Sequence, residues 1–366
     1  MPILIVWALL VLFGVSAVYS VSIHESFAYS LKFLDTATNY FYFNRHLINI
    51  IFALVLSVFI YKVPLRHVKK YKNLIFIVAL ILQLLVFTPI GIELQGARWW
   101  LRIPGYGTLQ PAEFFKLGFV IFFAWRLYRK KQLLAQPRGY IAFLVFMALL
   151  GGLFVKIPDL GTMLVLWLVW FAMYRYAWWK AKHLIVIILA GLILWLGVGR
   201  QIPYIKSRLS YFIAPSIDER GRGIWYQTEQ ALLSVWAGWF WGEWYGKWLQ
   251  KFGYIPEAQS DFIFAAFSEE IGFLGNMVLL AMYFYLAYTF LRLLPQVRDE
   301  YTKIFGVGLI SLIMIQMFVN IGVNIKIVPL TGLTLPFVST WGTALMVNFI
   351  EIVWLYKIVY KKEKIM

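Results

Sequence analysis

The chain has 366 residues, of which 62% are hydrophobic, 19% aromatic and only 14% charged, and its formal net charge is +17. That balance lies far outside the range of a soluble domain. The absence of cysteine excludes disulfides, thiolate metal sites and a cysteine nucleophile, and the basic residues fall in short loops between apolar runs, which argues against a nucleic-acid partner and for an integral membrane protein.

Apolar stretches close to the ~20 residues a bilayer requires lie near 3–22, 46–62, 73–91, 112–127, 140–157, 160–175, 184–199, 262–291, 304–323 and 341–357. They predict an all-α, polytopic membrane protein of about ten transmembrane helices, forming a single transmembrane domain over residues 1–366. The alternate loops "KVPLRHVKKYK", "RLYRKKQLLAQPR", "RYAWWKAKH" and "RLLPQVRDEYTK", with the tail "KIVYKKEK", hold more than half of the 34 lysines and arginines. The positive-inside rule therefore places both termini in the cytoplasm. On the opposite side fall a segment from about 23 to 45, loops at 92–111 and 324–340, and a large extracytoplasmic loop at about 200–261. Met1 to Ser20 lacks a basic n-region and a small-x-small cleavage site, and reads as a retained first span. The four histidines are too scattered for a metal-binding helix motif.

The polar residues in or beside the spans are functional candidates, because a charge in a membrane must face a partner or a cavity. In "LQPAEFFKLG", Glu113 and Lys116 are three apart and share a helix face, as a structural ion pair or as the lining of a polar cavity. Asp159 in "KIPDLGT" suits a helix cap as well as a site. Asp261 in "QSDFIF" falls at the first turn of a helix, where the dipole favours its anion and lowers its pKa. Glu269 and Glu270 lie about 80° and 180° around that helix from Asp261, so the three carboxylates have separate jobs, and packing against other helices is the simpler role for the pair. Lys326 in "NIGVNIKIVPLTG" must snorkel or find an anion, either a phosphate-bearing ligand or a carboxylate. The tryptophans Trp225, Trp236, Trp239, Trp241, Trp244 and Trp248 in the large loop suit an aromatic belt at the membrane interface, with stacking on a sugar ring as the sharper alternative.

Several stretches together carry a family resemblance. "GARWWLRI", "LQPAEFFKL", "IPDLGT", "YQTEQAL", "YIPEAQSDFIFAAFSEEIGFLG" and "NIGVNIKIVPLTGLTLPFVSTWG" occur in the order found in the SEDS family (shape, elongation, division and sporulation) of membrane glycosyltransferases, represented by RodA, FtsW and SpoVE. The "KFGYIPEAQSDFIFA" and "TGLTLPF" wordings look more like FtsW than RodA. The resemblance implies polymerisation of lipid II, the undecaprenyl-pyrophosphoryl disaccharide-peptide, into peptidoglycan strands at the outer face of the bacterial cytoplasmic membrane during cell division or elongation. A class B penicillin-binding protein, other divisome or elongasome proteins and membrane lipid are the implied partners. Asp261 matches the family's essential aspartate. Glu113, Lys116 and Asp159 match polar positions of its central cavity, and Arg98 matches the arginine of its "GA-R-W" motif.

The resemblance also has departures. Tryptophans replace a glycine-rich run in "WAGWFWGEWYG", Trp341 replaces a glycine in "STWGTA", and Lys326 stands where glycine is common. The resemblance implies an alpha-linked donor giving a beta-linked product, hence a single inverting displacement, for which one carboxylate base, Asp261, is enough. Arg98, Arg102, Lys116 or a divalent cation such as Mg or Mn would stabilise the departing pyrophosphate, with Lys326 a further anion-binding candidate. The competing readings are a lipid II flippase and an inactive division scaffold.

Overall fold

The structure is a computed structural model and describes residues 2–34, 36–94, 97–104, 107–129, 137–177, 208, 212, 224–243, 255 and 257–361. The described chain is helical: α1 Pro2–Val21, α2 Ile23–Phe33, α3 Phe41–Lys62, α4 Leu65–Lys70, α5 Lys72–Leu84, α6 Pro111–Arg129, α7 Pro137–Lys156, α8 Leu160–Ala177, α9 Ile224–Ala237, α10 Ile263–Leu293, α11 Glu300–Asn324 and α12 Gly342–Tyr356. Among the described residues six helical segments are long and apolar enough to cross a membrane: Pro2–Val21, Phe41–Lys62, Leu160–Ala177, Ile263–Gln296, Glu300–Asn324 and Gly342–Lys361. Shorter apolar helices cover Lys72–Phe87 and Leu144–Lys156. The expected span at 184–199 lies outside the described residues, and each of the others overlaps a helix, the one expected at 73–91 being helical only to Phe87.

The all-α expectation needs one amendment. The loop expected at 92–111 contains a three-stranded antiparallel meander, β1 Gly91–Leu94, β2 Ala97–Ile103 and β3 Gly107–Leu109. Leu101 of β2 faces Gly91 on one side and Leu109 on the other. The strand packs its Leu101 and Trp99 against Val86, Leu153 and Ile157, and the Trp99 indole N–H donates to the Ile157 carbonyl at 2.9 Å. This fastens the sheet to the turn between α7 and α8.

The chain forms two compact units. One comprises Met1–Ser57, Ser207–Thr289 and Gln316–Ile352; the other comprises Val58–Lys206, Phe290–Ile315 and Val353–Met366. In the first, α2 is held to the start of α3 by hydroxyls: Tyr42 N–H donates to Ser26 Oγ at 3.1 Å and Thr38 N–H to Ser30 Oγ at 2.8 Å. In the second, buried Lys357 donates to the carbonyls of Tyr61 and Val63, covering the carbonyl groups that a helix C-terminus leaves without partners.

Helix α10 is not the straight span its sequence suggests. Gly272 has φ 64 and ψ −168, which breaks the helix. The backbone groups freed there are taken up by the turn 238–243: Phe273 N–H donates to Trp239 O at 2.8 Å, and Glu243 N–H donates to Glu269 O at 2.8 Å. Irregular backbone at such a position is tolerated when other protein backbone satisfies it. The outward apolar face of α10 begins at the break, with residues 262–270 buried and Phe273, Val278, Phe284 and Tyr288 about half exposed. The Trp turn sits at this point: Trp236, Trp239 and Trp241 are 71%, 83% and 77% exposed, and Phe240 stacks on Phe273 at 5.9 Å. An aromatic group at the end of a lipid-facing stretch is the arrangement of an interfacial belt. The side chain of Trp225, and Trp244 and Trp248, lie outside the described residues.

Candidate active site

Asp261 belongs to the first unit and is placed by its backbone. It lies in the turn before α10, not in the helix. Its carbonyl accepts from Asn320 Nδ2 at 2.9 Å and from Asn324 Nδ2 at 3.0 Å. Both asparagines are buried, four apart on one face of α11. Asn324 Oδ1 then accepts the Ala265 N–H at 2.9 Å, capping the start of α10. Sequence alone assigned these asparagines no task; their spacing of four was the available signal.

From the other side, the segment before α12 is laced to the residues ahead of Asp261. Ser339 Oγ donates to the Ser260 carbonyl at 2.7 Å and accepts Leu335 N–H at 2.8 Å. Thr340 donates to the Gln259 carbonyl through both N–H and Oγ1, at 3.2 and 3.1 Å. Trp341 comes next and supplies a side-chain hydrogen bond to the Asp261 carboxylate. The carboxylate's Oδ1 is buried with no partner.

The expectation that Asp261 is held as a low-pKa anion is overturned. Burial, followed by repulsion from Glu257, pushes it up to about 7, against the opposing effects of Trp341 and the positive charge of Arg208. The helix dipole does not win because the residue stands outside the first turn and has lost most of its hydration. Glu257, whose Oε2 accepts from Ser260 Oγ at 3.1 Å, is itself raised by burial. Glu25 of α2, which accepts Ala258 N–H at 3.2 Å, is pushed up to about 7 by burial and by Glu257. Neither Glu25 nor Glu257 was singled out by the sequence, because nothing in their local wording separates them from solvated loop carboxylates.

Glu113, Lys116 and Asp159 form a second constellation, in the other unit. Lys116 Nζ lies 2.8 Å from the Glu113 carboxylate, and both side chains are almost fully buried. Asp159 caps α8 by accepting the Thr162 N–H at 2.9 Å on Oδ1, while Oδ2 is buried with no partner. Its pKa is raised by burial, opposed by the hydrogen bonds from Thr162 and by the charge of Lys116, with Glu113 adding repulsion. One oxygen of Asp159 thus holds the helix and the other is unspent.

The remaining candidates stand apart. Arg98 on β2 is exposed and pairs with Glu93 across the hairpin at 3.2 Å, and Arg102 is exposed on the same strand. Lys326 has the carboxylate the sequence asked for: its Nζ is 2.5 Å from Glu229 Oε2 on α9. Lys326 also has φ 57, the left-handed conformation at a helix C-terminus that glycine adopts without strain. Glu270 accepts from Ser20 Oγ of α1, a bond between helices, and Glu269 and Glu270 are both buried. Among the described residues no three His, Cys, Asp or Glu side chains gather as a metal cage.

A family model described as cell cycle protein, that of FtsW, RodA and SpoVE, matches residues 1–364. The chain belongs to this family. It is 33% identical over 345 residues to stage V sporulation protein E of Bacillus subtilis, covering 93% of this chain and 91% of the relative. It is 30% identical over 330 residues to the probable peptidoglycan glycosyltransferase FtsW of Coxiella burnetii, covering 88% of this chain and 87% of the relative. Among solved structures, a chain from a study of a peptidoglycan synthase complex that coordinates polymerization and crosslinking superposes with a TM-score of 0.79 at 22% identity, over 99% of this chain and 98% of that one. The rod shape determining protein RodA of Thermus thermophilus gives 0.69 at 21% identity, over 98% and 96%. The FtsW, RodA and SpoVE fold is therefore that of this multi-pass membrane protein.

Proposed function

We propose that this chain is a peptidoglycan glycosyltransferase that polymerises lipid II at the outer face of a bacterial cytoplasmic membrane, with Asp261 as general base. The observation that carries the reading is a carboxylate fixed at its backbone by two buried asparagines, with one oxygen free of protein partners and a pKa pushed up to about 7. A base works best when its pKa is near the operating pH, and positioning adds to that.

In the step proposed, an acceptor sugar hydroxyl forms a bond to the donor's anomeric carbon. The bond from that carbon to the lipid pyrophosphate breaks, and its electron pair leaves with the phosphate. The hydroxyl proton passes to Asp261. Inversion needs no covalent sugar–protein intermediate, so a single carboxylate suffices. Lys116 and Asp159 are proposed to contact substrate, with Glu113 holding the Lys116 ammonium in place; Arg98 and Arg102 are proposed to meet the pyrophosphate from their exposed strand. The relatives' names support the activity, and the synthase-complex neighbour supports a crosslinking penicillin-binding protein as partner. The FtsW-named relatives favour cell division as the setting.

The test is polymer formation from purified lipid II by the protein co-purified with its penicillin-binding partner. Wild type is expected to make glycan strands, and Asp261→Asn is expected to lose at least 100-fold in rate, the order associated with removing a general base, while remaining folded and partner-bound. A wild-type complex, shown to be intact, that makes no polymer would overturn the reading in favour of flipping or scaffolding.

A further inference from the structure

We infer that the cytoplasmic end of the second unit carries a binding site for an anionic phospholipid headgroup, where Lys72, Arg126 and Arg129 gather at Trp125 and take the lipid phosphate. Such a site does not depend on the glycosyltransferase activity. It is built from the ends of two helices. Phe76 of α5 stacks on Phe122 of α6 at 4.5 Å, which brings the first turn of α5 beside the last turns of α6. There Lys72 Nζ lies 4.3 Å from the centre of the Trp125 ring, and Arg126 Cζ lies 5.7 Å from the same ring and 4.9 Å from that of Phe122. The two charges are therefore no farther apart than about one Debye length at ~0.1 M salt. Arg129 is exposed three residues beyond Arg126, on the same side of α6. Arg126 Nε is buried with no hydrogen-bond partner.

These cations have no carboxylate to balance them. The sequence holds no Asp or Glu from Thr36 to Ile92 or from Phe114 to Pro158. Of the acids that the fold brings to this unit's helix ends, Asp299 is taken by Lys69 at 3.3 Å and by the N–H and hydroxyl of Thr302, and Glu300 by Lys303 at 2.7 Å. A ring face stabilises a single cation but does not relieve the repulsion between neighbouring ones; an anion does. The positive-inside rule accounts for basic residues in these loops, but not for their meeting at one tryptophan. The surface that the cations border makes the anion a lipid. Leu74, Ile77, Val78 and Ile81 are each about half exposed at the spacing of one helix face, so an outward apolar stripe for acyl chains runs into the membrane from Lys72. Tryptophan is enriched at the depth of the headgroups, and basic pockets between spans on the cytoplasmic side suit phospholipid phosphates.

The test is to titrate the purified full-length protein, in a neutral detergent, with phosphatidylglycerol and separately with phosphatidylcholine, and to count bound lipid by native mass spectrometry. Wild type is expected to hold one phosphatidylglycerol at least tenfold more tightly than phosphatidylcholine. Lys72→Gln/Arg126→Gln is expected to lose about 30-fold in affinity for phosphatidylglycerol, at roughly fivefold per cation, with phosphatidylcholine binding unchanged. Lys62→Gln/Arg292→Gln removes the same charge from exposed positions at the ends of α3 and α10 and is expected to keep the tight site. Equal losses in the two double variants would mean diffuse attraction without a site, and would overturn the inference. The comparison of lipids on wild type needs no substitution, so the absence of any preference there overturns the inference whether or not the variants fold. Millimolar inorganic phosphate is expected to leave the bound phosphatidylglycerol in place. Its displacement by inorganic phosphate would assign the cations to a soluble anion and overturn the lipid.

Discussion

At the scale of single residues, the buried polar groups divide by whether their partners are charged. Asp261 is surrounded by backbone clamps, a neutral donor and a repelling carboxylate, and is left poised between its two forms. Lys116 and Glu113 instead neutralise each other at 2.8 Å in a nearly water-free setting. Removing one member of such a pair strands the other charge, at a cost of about 3–5 kcal/mol, whereas replacing both is far milder. Lys116→Met is therefore expected to lower the thermal midpoint markedly and Glu113→Gln/Lys116→Met to recover most of it. If the pair also serves substrate, neither variant recovers lipid II polymerisation. A double variant with full activity would assign the pair to packing alone.

At the scale of elements, the break in α10 organises the site's surroundings. The buried stretch 262–270 descends from Asp261, and the outward apolar stretch begins at Phe273. Between them the Trp turn donates and accepts the backbone bonds that a straight helix would have made internally. A Cβ on Gly272 would come within 2.3 Å of Gly242 N and would sit at φ 64, so neither the side chain nor the backbone can adapt. Gly272→Ala is expected to destabilise by about 2–5 kcal/mol, the sum of left-handed strain and overpacking. It should also expose the turn at Trp239–Gly242 to proteolysis. A variant as stable as wild type would mean that the two segments separate at no cost. The sequence carried the glycine but not the break, because an isolated glycine in an apolar run is compatible with an intact helix and the partner segment lies about 30 residues away in the chain.

At the scale of the molecule, the span pattern was legible because bilayer thickness imposes a length and a hydropathy that local sequence must satisfy, and every expected span within the described residues overlaps a helix. The meander at 91–109 was not legible, since its strands are three to seven residues long and owe their stability to packing on Val86 and Ile157. Asp261 became a candidate from its place ahead of an apolar run, and the family resemblance supplied the chemistry proposed for it. Its electrostatic state was misread because the groups that set it, Glu257 and Trp341 among them, reach it only through the fold. For Lys326 the sequence left snorkelling, a phosphate-bearing ligand and a carboxylate open, and the fold brings it to Glu229. Whole-molecule function then rests on whether the Asp261 carboxylate gates the reaction. The most direct measurement is the pH dependence of lipid II polymerisation by the intact complex under kcat/KM conditions. The account predicts a rate that climbs about tenfold per pH unit below a midpoint near 7, as Asp261 ionises, and is level above it. A rate that is already level from pH 5 upward, with wild type active throughout, would contradict it.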